Sequence, residues 1–174
     1  MGRSQTLEDE FFRLLEPEQG KLYRLALAIL GSDADARDAL QDAVIRAFRA
    51  YPQLRGGQAA FPTWMRRIVV NSATQILRRR LRVIPVERPE ALHPDPEGPP
   101  PELQGDVWDA VRRLDDRYRA VVVLRFLEDM SLEEIGRALD IPVGTVKSRL
   151  HVALRRLREM LAGPGAEARG AGAV

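Results

Sequence analysis

The chain has 174 residues, enough for one medium domain or two small ones, with 45% hydrophobic residues and only 6% aromatic. Its formal net charge is +2, so it is no polycation, and the absence of cysteine excludes disulfides, thiolate metal sites and cysteine nucleophiles. The two histidines, His93 and His151, lie in unrelated segments and make no zinc pattern, and no cofactor is expected.

β-branched residues rarely alternate with polar ones, so an all-α fold is predicted. MGRSQTLEDEFF has no apolar signal core, and no stretch approaches the roughly 18 apolar residues of a membrane span. A soluble, cytoplasmic protein is expected. The first two helices are predicted over Leu7 to Leu15 and Pro17 to Leu30, and the third from a Ser32/Asp33 cap to about Ala50. In the third, Leu40, Val44, Ala47 and Phe48 form an apolar stripe. YPQLRGGQAA then reads as a loop with two adjacent glycines. A fourth helix starts near Pro62, where proline suits the first turn, and runs to about Arg80. Its inward face is predicted from Phe61, Trp64, Met65, Ile68, Ser72 and Ile76.

The stretch from Val86 to Gly105 is dense in proline, which forbids regular helix and predicts an extended, semi-rigid linker. Domain boundaries follow: residues 5–82, a Pro-rich linker at 83–105, a second domain at 106–162 and a disordered tail at 163–174. In the second domain, helices are predicted over Val107 to Leu114 and Arg117 to Leu127. Ser131 followed by Glu134 is a capping box that opens a helix to about Leu139. Asp140 to Gly144 breaks it, and a last helix runs from about Thr145 to Leu161 with Val146, Leu150, Ala153, Leu154, Leu157 and Leu161 inward. A short helix, a tight turn and a longer basic helix make a helix-turn-helix.

Charge is segregated along this plan. Acids slightly outnumber bases from Met1 to Ala50, whereas Trp64 to Val86 and Val143 to Arg158 carry arginine or lysine and no acid. Such a layout suits two contacts with a polyanion and one surface for another partner; on charge alone, solvated helix faces explain it equally well. In a helix-turn-helix the second helix enters the major groove and its first residues meet base edges. Lys147, Ser148, Arg149, His151, Arg155, Arg156 and Arg158 lie off the apolar stripe, and Lys147, His151, Arg155 and Arg158 share one line. The earlier ones suit base edges and the later arginines phosphates. On the fourth helix, Arg67, Asn71, Thr74 and Arg78 line up, with Arg66, Gln75, Arg79 and Arg80 nearby, as an electrostatic groove for an unpaired strand. The glycine loop before it suits a pocket for an extruded base. Asp38 and Asp42 repel mildly at i, i+4 with Gln41 beside them, which suits a positively charged docking partner, while a wet helix face stays open.

These segments resemble the extracytoplasmic-function (ECF) sigma factors, built from region 2, a linker and region 4. The resemblance runs from about Glu8 to Leu161 and rests on ARDALQDAVIRAF, FPTWMRRIVVNSATQILRRR and LEDMSLEEIGRALDIPVGTVKSRLHVALRRLR. It implies that Asp38, Leu40, Gln41 and Asp42 bind core RNA polymerase. It also implies that Arg67, Asn71, Thr74, Gln75, Arg78 and Arg79 melt and read the −10 element, and that the preceding loop receives a flipped base. Thr145, Lys147, Ser148, Arg149, His151 and Arg155 would read the −35 duplex, with Arg125 at a further contact. The linker would thread near the polymerase active-site channel, and an anti-sigma factor is an expected partner. Similar sequences often carry an acid where this chain has Gln75, and some carry an aromatic in place of His151, so the promoter sequence is open. The rival is a stand-alone dimeric helix-turn-helix regulator that binds a palindromic site. A nuclease using the paired aspartates is a remote third reading.

Overall fold

The computed structural model describes residues 2–83 and 105–162, all helix, turn or short connection. The chain divides into two compact units, Met1–Pro85 and Val86–Val174. All but the end residues of the predicted Pro-rich linker, and the tail, lie outside the described residues.

In the first unit α1 spans Gly2–Leu15 and α2 spans Gln19–Leu30, separated by a 3-10 turn, Glu16–Glu18, that contains Pro17. Gly31 closes α2 with φ +64°, a left-handed conformation that costs glycine little. α3 spans Asp33–Ala50, and Ser32 caps it by accepting a hydrogen bond from the Asp35 amide. The predicted stripe on α3 is corrected by the packing. Its fully buried side chains are Ala36, Ala39, Ala43 and Ala47, whereas Leu40 and Val44 are half-buried and Phe48 is 40% exposed. Small residues let α3 approach α2 and α4 closely, so the larger apolar side chains turn to its flanks.

α4 spans Gly57–Val83 and begins five residues before Pro62. Most of the predicted glycine loop is therefore structured: Tyr51–Gln53 forms a 3-10 turn, and the connection shrinks to Leu54 through Gly56. Gly56 and Gly57 both hold positive φ, +94° and +65°, and swing the chain into the helix. Pro62 sits inside α4, near its start, where one N–H is missing from the ladder without breaking it. The inward face consists of Phe61, Met65, Val69, Val70, Ala73 and Leu77, together with Ser72 and Thr74. Of the predicted stripe, Phe61, Met65 and Ser72 are buried, while Trp64, Ile68 and Ile76 are half-buried at its margin. Phe11 of α1 centres the core, its ring 5.3 to 5.6 Å from those of Phe12, Phe48, Tyr51 and Phe61. Arg80 closes the far end by donating to Asp35 at 2.6 Å and to the Leu30 carbonyl at 2.8 Å.

In the second unit α5 spans Asp106–Arg112, α6 Asp116–Phe126, α7 Leu132–Leu139 and α8 Val143–Ala162. Val111, Leu114, Val121, Val123, Leu124, Ile135, Leu139, Val146, Ala153 and Leu157 form the core. Leu154 and Leu161, predicted inward, are 41% and 44% exposed, and Leu150 is half-buried. α8 packs on the rest of the unit along a narrow seam, so the flanking leucines reach solvent.

Candidate nucleic-acid interfaces

The predicted capping box is complete. Ser131 Oγ accepts from the Glu134 amide at 3.2 Å while the Glu134 carboxylate accepts from the Ser131 amide at 2.8 Å. α7 ends at Asp140 in left-handed geometry, φ +57°. The turn is shorter than the predicted Asp140 to Gly144 break, because Val143 and Gly144 already belong to α8 and the Thr145 and Val146 amides donate to Pro142. Gly136 makes this tightness possible: a Cβ there would stand 3.0 Å from the Ile141 carbonyl oxygen. The start of α8 is thereby fixed against α7.

Lys147, Ser148, His151, Arg155 and Arg158 of α8 are all exposed. Ser148 Oγ donates to the Gly144 carbonyl at 3.0 Å, which leaves its lone pairs outward as acceptors. Thr145 is half-buried at the helix start. Arg149 does not share the exposed line: it is half-buried, and its pKa falls because of burial and the nearby Arg117 cation, with Tyr118 opposing. Arg156 is likewise diverted, 2.8 Å from Asp115 and 4.6 Å above the Tyr118 ring. Arg125 is exposed and donates to the Met130 carbonyl at 2.9 Å, ahead of α7.

In the first unit Arg67, Asn71 and Arg79 of α4 are exposed and Arg78 is half-buried. Thr74 corrects the predicted line, being 1% exposed with its hydroxyl within reach of the Val70 and Asn71 carbonyls at 2.8 and 3.1 Å. A hydroxyl satisfied by its own helix can face the core. Half-buried Gln75, one turn beyond Asn71, takes that place on the flank. Gln75 accepts a hydrogen bond from Arg46 of α3 at 2.8 Å. Glu10 of α1 accepts from Gln58 at 2.9 Å, which ties the start of α4 to α1.

The acidic helix is less uniform than its spacing suggests. Asp38 and Gln41 are exposed and Leu40 is half-buried. Asp42 is engaged within the fold: its carboxylate accepts from the buried Ser72 hydroxyl at 2.8 Å and pairs with Arg46 at 2.9 Å. Arg46 was not singled out from the sequence, although its i, i+4 spacing from Asp42 is an ion-pair signal. Among the described residues no cluster of three or more His, Asp or Glu stands ready to hold a metal, and no helix is long and apolar enough to cross a membrane.

Sigma-70 region 2 matches residues 14–83, and Sigma-70 region 4 matches residues 110–159. The chain is 36% identical to the ECF RNA polymerase sigma factor SigE of Mycolicibacterium smegmatis, over 86% of this chain and 60% of that one. It is 35% identical to the RNA polymerase sigma-E factor of Streptomyces coelicolor, over 92% of this chain and 90% of the other. Among solved structures, the sigma factor RpoE of Bartonella quintana, in complex with the anti-sigma factor NepR, aligns with a TM-score of 0.55 at 25% identity. That alignment covers 89% of this chain and 98% of the other. A region 2 bundle with a basic flank, followed by a region 4 helix-turn-helix, places this chain in the sigma-70 family as an RNA polymerase sigma factor of the ECF type.

Proposed function

We propose that the two units divide promoter recognition between them and that neither performs covalent chemistry. The second unit binds the −35 duplex: α8 enters the major groove, Lys147 donates to guanine acceptors, Ser148 accepts from exocyclic amines, and Arg155 and Arg158 hold phosphates. The first unit captures the melted −10 strand on α4, where Arg67 and Arg78 hold backbone and Asn71 and Gln75 meet base edges. Asp38, Leu40 and Gln41 dock the protein on core RNA polymerase, and the Pro-rich stretch sets the separation of the two elements. Binding of the displaced strand supplies the energy for melting.

The observation that carries this reading is the exposed line Lys147, His151, Arg155 and Arg158 on α8, a helix whose start is fixed against the capped α7 by the tight Gly136–Pro142 turn. The likeness to RpoE, crystallised with NepR, supports an anti-sigma partner that holds this chain inactive in the cytoplasm. Having no cysteine, the chain receives any thiol redox signal through such a partner. A stand-alone dimeric regulator is not favoured, since the matches cover both regions of a sigma factor.

The test is transcription in vitro with purified core polymerase on fragments of the source genome. Specific transcripts are expected with the protein, and they should vanish with Asp38→Arg or with Lys147→Ala. Absence of core binding, alongside tight binding to a palindromic duplex, would return the dimeric regulator to favour.

A further inference from the structure

Asp42 and Arg46 on α3 and Ser72 and Gln75 on α4 form one polar chain between the helices. Ser72 donates to Asp42 at 2.8 Å, Arg46 Nε lies 2.9 Å from the Asp42 carboxylate, and Arg46 Nη2 donates to Gln75 Oε1 at 2.8 Å. A guanidinium carries only donors, so the Gln75 atom facing it must be the carbonyl oxygen. With its oxygen engaged, the amide nitrogen has no partner among the described residues. An unrestrained glutamine interconverts its donor and acceptor ends by rotating about its last torsion, and can serve almost any base. Here that freedom is restrained by a cation that is itself paired with Asp42.

We infer that Arg46 is a positioning residue for base discrimination, locking Gln75 so that it offers only its amide N–H donors to the melted −10 strand. This rests on the reading of α4 as the single-strand face and deepens it. The locked amide favours a base presenting acceptors at that point, such as a guanine edge or a pyrimidine O2, over one presenting an exocyclic amine. Arg46 touches no base and acts through Gln75. A carboxylate at position 75 would pair with the same guanidinium but offer no donor, so Gln75→Glu should abolish the preference while keeping the helix-to-helix tie.

The experiment is transcription by holoenzyme from a promoter library randomised across the −10 element, with transcripts sequenced to give base preference at each position. Arg46→Ala, Arg46→Lys, Gln75→Leu and the double variant Arg46→Ala/Gln75→Leu are compared, with core-binding affinity and thermal melting measured alongside. Arg46→Ala and Gln75→Leu should each flatten preference at the same single position by about fivefold or more, and the double variant should add nothing further. Arg46→Lys, which can still donate to Oε1, should keep most of the preference even if Arg46→Ala folds poorly. The inference is overturned if Arg46 variants lower the melting temperature and leave every base preference intact, or if the two single variants act at different positions. If the unmodified protein gives no specific transcripts, the sigma reading fails first and this inference fails with it.

Discussion

Arg155 and Arg156 are neighbours on α8, yet alanine at each should produce opposite signatures. Arg155 is 60% exposed, and its nearest carboxylate, Glu159, stands at 3.8 Å, so it is available to a phosphate. Arg156 is held at 2.8 Å by Asp115 and lies over Tyr118, so it belongs to the fold. Each phosphate neutralised adds about 0.9 to the slope of log affinity against log salt. Between about 50 and 200 mM salt, a fourfold rise, one such contact amounts to about 3.5-fold in affinity. Arg155→Ala should therefore lower the slope by about 0.9, weaken binding similarly on all promoter sequences, and leave thermal stability unchanged. Arg156→Ala should leave the slope alone and cost roughly 0.5–1.5 kcal/mol of stability, from an exposed ion pair and a cation–π contact. Promoter-fragment binding by holoenzyme at four salt concentrations, with thermal melts of the free protein, separates the two. A slope change with Arg156→Ala and none with Arg155→Ala would refute the assignment of the contact face.

Phe11→Ala empties the centre of the aromatic cluster and should destabilise the first unit by roughly 3–5 kcal/mol, read as a shifted denaturant midpoint at unchanged steepness. Gly136→Ala drives a Cβ against the Ile141 carbonyl and should cost roughly 1–3 kcal/mol, with duplex binding weakened as the start of α8 shifts. Asp38→Ala should reduce core-polymerase affinity with no change in melting temperature, whereas Asp42→Ala should also lower the melt, because it strands the buried Ser72 hydroxyl. The Tyr23 hydroxyl, then the Arg37 guanidinium, hold Asp33 below the usual carboxylate range. A depressed folded pKa stabilises above the unfolded value and is lost as pH falls through the folded one, so Asp33→Asn should flatten the acid limb of the stability profile below about pH 4.

Punctuation was the most legible part of this fold. The Ser32 cap and the Ser131–Glu134 box are local chemistry that needs no tertiary context. Which face packs inward was less legible, for a particular reason in each helix. On α3 the buried positions are alanines, which a search for large apolar residues passes over. On α4 Thr74 looks like a surface residue until its hydroxyl is seen bonded to its own helix, and the outward place passes to Gln75. On α8 Arg149 and Arg156 share the composition of their neighbours but face α6. Burial of long cationic side chains depends on what stands opposite, and spacing within one helix does not record that. The partner of Arg46 is Gln75, 29 positions away, and only the packing of α3 on α4 brings the two together.

The alanine seam of α3 has a mechanical consequence. Ala36, Ala39, Ala43 and Ala47 have no side-chain torsions to order, so packing this face costs no side-chain rotamer entropy of its own. The larger side chains of α2 and α4 do the fitting around it. The groups on its opposite face, Asp38 and Gln41 among them, thus keep a fixed spacing before any partner arrives. Docking on such a surface gives up little backbone entropy, so the helix works as a ruler machined in advance, against which a partner measures itself.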